Sequence, residues 1–320
     1  MVLNIALLLA GFAILIKGAD FLVGGASSLA KRLNISNLVI GLTVVAFGTS
    51  TPELTVNIFS SLKGMNDAIY GNIVGSNIFN LLFILGIAGL IYPLSVQRTT
   101  VRYEIPFSLL AGLLLFLLVN DVMFFGSDNN SLGRIDAVVL LVFFGLFMIY
   151  ILRTARLEQA PTDEDEVKLL SKPKSIAFVV IGITALVLGG KMVTDSAVEI
   201  AKAFSLSDKL IGLTILAAGT SLPELATSAV AAYRRQTDIA IGNVIGSNIF
   251  NILFILGING SIRAVPYNDT MNTDFLLLFA GTVALLVFMF TFKKHKLDRI
   301  EAGMFLVVYL GYTFYLFARN

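Results

Sequence analysis

Cysteine is absent from these 320 residues, and histidine occurs once. The first absence excludes disulfides, thiol catalysis and thiolate metal sites. The single histidine, His295, sits in the run Lys293, Lys294, His295, Lys296, which reads as a solvated basic face and excludes a zinc site built on histidines. Charge is scarce too: 14% of residues are charged and 57% hydrophobic, with mean hydropathy +0.86. A soluble domain is nearer a quarter charged, so the chain reads as a polytopic protein of the lipid bilayer. A net charge of +2 implies no nucleic-acid partner. No protein partner and no cofactor are implied. An intramembrane enzyme lacks its nucleophile–base pair or histidine cluster here.

Spans of roughly 20 apolar residues number ten, and the expected fold class is all-α with ten transmembrane helices. Their limits are 2–30, 37–62, 67–92, 104–120, 134–153, 174–202, 208–233, 238–262, 273–292 and 299–318. The first has no basic start and too long an apolar stretch for a cleavable signal peptide. Residues 154–173 join the fifth and sixth spans and carry Glu158, Asp163, Glu164, Asp165 and Glu166 with Arg156, Lys168 and Lys172. This segment reads as a solvated acidic tether rather than a calcium sensor, and it is too short for a folded regulatory domain. The expected units are therefore 1–153, the tether 154–173, and 174–320. Placing both termini outside puts 15 basic residues in inner loops and 6 in outer ones. The positive-inside rule thus expects extracellular termini and a cytoplasmic tether, in the cell membrane.

One stretch occurs twice. Gly-Thr-Ser-Thr-Pro-Glu starts at Gly48 and Gly-Thr-Ser-Leu-Pro-Glu at Gly219. Gly-Asn-Ile-Val-Gly-Ser-Asn-Ile-Phe-Asn starts at Gly71 and Gly-Asn-Val-Ile-Gly-Ser-Asn-Ile-Phe-Asn at Gly242. Leu33 and Phe204 open a third matching pair, and all three pairs are 171 residues apart without a gap. An internal repeat of this kind defines the architecture. The offset spans five helices, an odd number, so the second copy enters the membrane from the opposite side. Inverted repeats of this sort build many secondary transporters, with the site at the midplane between the halves.

Each copy carries a carboxylate, Glu53 or Glu224, inside an apolar span, where an ionisable side chain is costly and marks function. Pro52 and Pro223 offer no N–H to the carbonyls of Gly48 and Gly219 and loosen the helix there. Thr49, Glu53 and Asn57 are spaced i, i+4 and are expected on one helix face, as are Thr220, Glu224 and Ser228. Ser50 and Ser221 lie beside them. Asn72, Ser76 and Asn80 form a further row, and Asn243, Ser247 and Asn251 another. Carboxylates, hydroxyls and carbonyls at one depth are the oxygen ligands that hard cations such as Ca²⁺ and Na⁺ require. Ser, Thr and Asn also glue membrane helices together, and for Asn72, Asn77, Asn243 and Asn248 both readings stay open. The pairs Gly71/Gly75 and Gly242/Gly246 suit close helix packing. Lys17 with Asp20, and Lys191 with Asp195, are spaced for ion pairs along their own helices.

These paired motifs resemble the α-repeats of the cation/calcium exchanger superfamily, most closely those of prokaryotic sodium/calcium exchangers, over nearly the whole chain. The resemblance implies an antiporter that exchanges Na⁺ for Ca²⁺ by alternating access, with three Na⁺ per Ca²⁺. It implies four clustered cation sites in a core of the second, third, seventh and eighth helices. The first and sixth helices resemble the family's long pair that slides across that core. The matching ligand positions are Ala46, Thr49, Ser50, Glu53, Ser76 and Asn80, then Ala217, Thr220, Ser221, Glu224, Ser247 and Asn251, the alanines acting through their carbonyls. Potassium-dependent relatives carry Asp where this chain has Asn251, so the resemblance argues against K⁺ use. The proton-coupled branch typically carries Gly-Asn-x-x-Glu in place of Gly-Thr-Ser-x-Pro-Glu. H⁺/Ca²⁺ antiport is the alternative within transporters, and a passive cation channel the alternative outside them.

Overall fold

The computed structural model describes residues 2–157, 169–204, 217–291 and 294–319. The acidic residues of the expected tether, and residues 205–216 at the start of the expected seventh span, lie outside the described residues. The long helices are α1 (Val2–Leu33), α2 (Asn37–Thr49), α3 (Thr51–Lys63), α4 (Asn66–Ile91), α5 (Thr100–Val119), α6 (Arg134–Leu157) and α7 (Lys172–Ala203). They continue as α8 (Leu222–Tyr233), α9 (Thr237–Ile262), α10 (Asn272–Phe288) and α11 (Arg299–Arg319). Among the described residues eight helices are long and apolar enough to cross a membrane, and nine spans result if the bent pair α2–α3 counts as one. The expected seventh span, 208–233, is described only from Ala217.

The second span is broken between Gly48 and Pro52 as expected, by 46° between α2 and α3, and three other expectations are corrected. Ser50 sits at the break with ψ 10°, and Ser221 before α8 repeats it with ψ 9°. Proline falls in the first turn of both α3 and α8, where its missing N–H costs nothing. The row Thr49, Glu53, Asn57 therefore does not lie on one continuous helix. The ninth span ends at Phe288 rather than 292, with the chain turning ahead of the basic run. Asp20 reaches across to Arg234 at the end of α8 instead of pairing along α1, whereas Lys191 and Asp195 pair as spaced, at 2.8 Å.

Helices α1 and α7 run antiparallel with backbones nearly touching. A Cβ added at Gly25 would lie 2.8 Å from the Ser175 carbonyl oxygen, and one at Gly182 2.6 Å from the Leu22 nitrogen. Only glycine permits that approach. Behind this pair, α4 and α9 are the most enclosed spans, with Ile69, Ile73 and Ile78 matched by Ala240, Val244 and Ile249 in the core. Both helices widen into a π turn, at Phe79–Ile84 and Phe250–Ile255. Such turns re-aim side chains and recur at functional sites.

Two short strand pairs tie loops together. β1 (Leu94–Ser95) pairs antiparallel with β4 (Lys296–Leu297), and β2 (Ser131–Leu132) with β3 (Val265–Pro266). β1 and β3 are themselves 171 residues apart.

Candidate functional site

The helix breaks at Ser50 and Ser221 face each other across the core, and the side chains around them interlock between halves. Ser50 Oγ donates to Glu224 Oε1 at 2.8 Å, and Ser221 Oγ to Glu53 Oε1 at 2.9 Å. Ser50 Oγ also lies 3.0 Å from Ser247 Oγ, as Ser221 Oγ does from Ser76 Oγ. Thr49 Oγ1 stands 3.0 Å from Asn243 Oδ1, and Asn72 Nδ2 donates to Thr220 Oγ1 at 3.1 Å. Asn72 Oδ1 in turn accepts from Asn57 at 2.6 Å, while Asn243 Nδ2 donates to Ser228 Oγ at 3.0 Å. Each of these contacts has a counterpart 171 residues on, and those of Ser50 with Glu224 and Ser247 and of Thr49 with Asn243 cross from one half to the other, as do their counterparts. This is the mutual pattern of a two-fold interface, where residue i meets j and j meets i.

Glu53 and Glu224 are both fully buried, at 0% exposure. Among the described residues neither has an ion-pair partner. Nor do three or more Asp, Glu or His side chains among the described residues group closely enough to hold a metal ion by themselves. Each carboxylate has one oxygen, Oε2, that receives no hydrogen bond, and so do Oδ1 of Asn80 and Oδ1 of Asn251. Other buried oxygens, Asn57 Oδ1 and Asn259 Oδ1 among them, also lack a donor, but these four form two pairs whose members are 171 residues apart. Buried charges are paired or coordinate metals. Two carboxylates, hydroxyls and amide oxygens form the hard oxygen set that Ca²⁺ takes at about 2.3–2.6 Å.

Of the twelve expected positions, six form two matching hydrogen-bonded triads, Ser50 with Glu224 and Ser247, and Ser221 with Glu53 and Ser76. Thr49 and Thr220 border it through the asparagines of α9 and α4. Asn80 and Asn251 each have an Oδ1 without a donor and are anchored through Nδ2 by Asn248 and Asn77. The Ala46 carbonyl already accepts Ser50 N–H at 3.0 Å and stands 3.2 Å from the Thr49 hydroxyl. Ala217 is the first described residue of its segment, in a helical turn, Ala217–Gly219.

The amide pair Asn77 and Asn248, left open by the sequence, makes reciprocal contacts between α4 and α9. Other buried acids lie elsewhere and have local partners. Glu104 bonds Tyr150, Glu301 bonds Thr291, and Asp274 bonds Arg319 and Tyr312. A cavity of about 820 Å³ is lined by Asp67, Asp128, Asn130, Tyr267 and Asp269 among others. None of the twelve positions lines it.

The halves dock unequally on α1 and α7. α1 runs along α8, whereas α7 has no comparable packing along α3, the matching helix of the first half. Val56 on α3 is accordingly 39% exposed, while its counterpart Thr227 on α8 is fully buried.

Comparison with known proteins follows the same lines. The family model "Sodium/calcium exchanger protein" matches residues 3–153 and 174–318. The chain is 37% identical to the putative antiporter CaxA of Alkalimonas amylolytica, covering 97% of each sequence. It is 31% identical to the sodium/calcium exchanger MaX1 of Methanosarcina acetivorans, covering 98% of each. Among solved structures it resembles the sodium-calcium exchanger NCX_Mj soaked with Na⁺ and Ca²⁺, with TM-score 0.81, 33% identity and 97% of each chain covered.

Proposed function

This chain belongs to the sodium/calcium exchanger family, whose members are cation/Ca²⁺ antiporters in the membrane, and from that premise we propose that it exchanges Na⁺ for Ca²⁺ by alternating access. The observation that carries the proposal is the reciprocal cluster in which each half's serine holds the other half's carboxylate. A cation held there would touch both halves at once, so movement of one half against the other would change its coordination, as alternating access requires. Glu53, Glu224, Ser50, Ser221, Ser76, Ser247, Asn80 and Asn251 supply the proposed ligands, with Thr49, Thr220 and the Ala46 and Ala217 carbonyls at the margin.

The proposed topology is ten spans in two inverted repeats of five, 1–153 and 174–320, with outer termini and the tether 154–173 in the cytoplasm. The strand pairs support it. Counting spans puts the β1 and β4 loops on one side and the β2 and β3 loops on the other, and each loop pairs with its own side. In that topology the closed packing of α1 along α8 lies inside. The exposed face of α3 then lies on the outer side, while the proposed ligands themselves are buried. Exchanging the packing of the two halves would carry the exposed face to the inner side.

Charge alone fits one Ca²⁺ or two Na⁺, an electroneutral exchange, whereas the family resemblance implies three Na⁺ and an electrogenic cycle. Three Na⁺ leave the loaded core near +1, with the third Na⁺ held by neutral oxygens such as the Ser247 hydroxyl and the Ala217 carbonyl. One net charge per cycle feels about 2.3 kcal/mol per 100 mV. The test is ⁴⁵Ca²⁺ uptake into vesicles loaded with Na⁺, with K⁺ or with acid, and no external Na⁺. Uphill uptake is expected with Na⁺ alone, faster when a K⁺/valinomycin potential is positive inside. Uptake driven by the acid interior would make the chain an H⁺/Ca²⁺ antiporter. Only downhill Ca²⁺ movement would make it a channel.

A further inference from the structure

The cluster leaves one question of chemistry. An asparagine can offer a cation its amide oxygen or turn the wrong way and offer an NH₂, which repels it. In water a flip of the amide is easy. Asn80 and Asn251 present a bare oxygen in the structure, and each is fixed by a chain of hydrogen bonds that begins at a backbone carbonyl.

The chain can be followed from its anchor. The Asn77 carbonyl oxygen can only accept, so the Asn248 side chain must turn its Nδ2 toward it, at 3.3 Å. That forces Asn248 Oδ1 to the opposite edge, where it accepts Asn80 Nδ2 at 3.0 Å. Asn80 therefore has its nitrogen engaged and its Oδ1 left without a donor. The other half repeats the sequence. The Asn248 carbonyl accepts Asn77 Nδ2 at 3.2 Å, Asn77 Oδ1 accepts Asn251 Nδ2 at 3.0 Å, and Asn251 Oδ1 is left bare. All four side chains are essentially buried, so water offers no competing partner.

We propose that Asn77 and Asn248 are positioning residues for cation binding: each uses the other's backbone carbonyl as a reference to lock the neighbouring asparagine, Asn251 or Asn80, with its oxygen facing the ion. Both belong to the Gly-Ser-Asn stretch directly before the π turns that carry Asn80 and Asn251. Neither Asn77 nor Asn248 touches the cation. The arrangement also selects against Asp at positions 77 and 248, since a carboxylate there faces a carbonyl oxygen without a hydrogen to give it.

The inference rests on the proposal that Glu53 and Glu224 hold the cation, and a carboxylate at position 80 separates positioning from mere packing. An Asp side chain has two equivalent oxygens and no wrong way to turn. ⁴⁵Ca²⁺ binding to the purified full chain is measured for Asn248→Ala, for Asn80→Asp and for the double variant. Asn248→Ala alone is expected to weaken Ca²⁺ binding about tenfold, the effect of one buried hydrogen bond lost from an oriented ligand. In Asn80→Asp a carboxylate oxygen replaces Nδ2 against Asn248 Oδ1, two acceptors with no hydrogen between them. Asn248→Ala on top of Asn80→Asp is therefore expected to leave Ca²⁺ binding unweakened or to strengthen it. Equal effects in both backgrounds, or no effect with Asn80 in place, would overturn the positioning role. The reciprocal set, Asn77→Ala with Asn251→Asp, repeats the test in the other half and serves if Asn248→Ala does not fold. Glu53→Gln measured alongside keeps the two ideas apart. Intact binding there removes the site itself, whereas lost binding there with equal alanine effects removes only the positioning.

Discussion

Glu224→Gln is the sharpest perturbation of the site, because it removes one charge and almost no volume. Gln keeps an oxygen that can still accept the Ser50 hydroxyl, now 2.8 Å from Glu224 Oε1. The fold is therefore expected to survive, and losing one of two buried, unpaired carboxylates does not weaken the empty protein. The cation loses far more. Removing one partner of a buried charge interaction costs about 3–5 kcal/mol. At about 1.4 kcal/mol per decade, Ca²⁺ affinity should fall by roughly two to three decades. Coulomb energy scales with the ion's charge, so Na⁺ should lose about half as many decades. Reciprocity adds a second requirement. Ser221 holds Glu53 at 2.9 Å much as Ser50 holds Glu224, so Glu53→Gln should behave like Glu224→Gln within a few-fold. The assay is initial ⁴⁵Ca²⁺ uptake by proteoliposomes over a range of Ca²⁺, with thermal unfolding in detergent as the folding control. Either folded variant with half-saturating Ca²⁺ within about threefold of the parent would refute the reasoning.

Asn251→Asp should change the Ca²⁺/Na⁺ preference more than Asn72→Asp, because Asn251 Oδ1 is bare whereas Asn72 is bonded through both ends of its amide; equal ion-competition curves would misplace the site-facing row of α4 and α9. Cysteine at the exposed Ser171 should react with an impermeant maleimide in inside-out vesicles and not in intact cells, and the opposite pattern would invert the topology. Asp20→Asn should loosen the inner closure, since the Asp20–Arg234 pair joins α1 to α8 while the positions 171 residues away are Lys191 and Lys63, which cannot pair. An exposed pair contributes at most about 1 kcal/mol, so outside labelling of Thr55→Cys should fall by up to about fivefold, and unchanged labelling would deny the pair that role.

Much of this architecture was legible because the chain says it twice. The 171-residue offset, the carboxylates Glu53 and Glu224 and the apolar spans are all local or periodic features, and the sequence prints them directly. What it does not print is which half serves which. Nothing in the motif around Ser50 says that its hydroxyl serves Glu224 rather than Glu53, three residues away, because that choice is made by packing across the bilayer core. The helix breaks were legible from Pro52 and Pro223, which loosen the helix back to Gly48 and Gly219; within that stretch the bend falls at Ser50 and Ser221, because proline is comfortable in the first turn of a new helix. The π turns at Phe79–Ile84 and Phe250–Ile255 leave no pattern in residue type that differs from an ordinary apolar helix. The roles of Asn77 and Asn248 depend on backbone carbonyls of the opposite half, which a sequence shows only as letters.

The central claim is that Na⁺ and Ca²⁺ take turns at one site shared by both halves, and equilibrium binding tests it most directly. Purified protein in detergent is held at half-saturating ⁴⁵Ca²⁺ and titrated with Na⁺, K⁺ or choline at constant ionic strength. Na⁺ should displace Ca²⁺ completely, with a Hill slope above one because more than one Na⁺ replaces each Ca²⁺. Potassium and choline should leave the bound ⁴⁵Ca²⁺ in place. Calcium that stays bound at saturating Na⁺, or that K⁺ displaces as readily, would contradict the account.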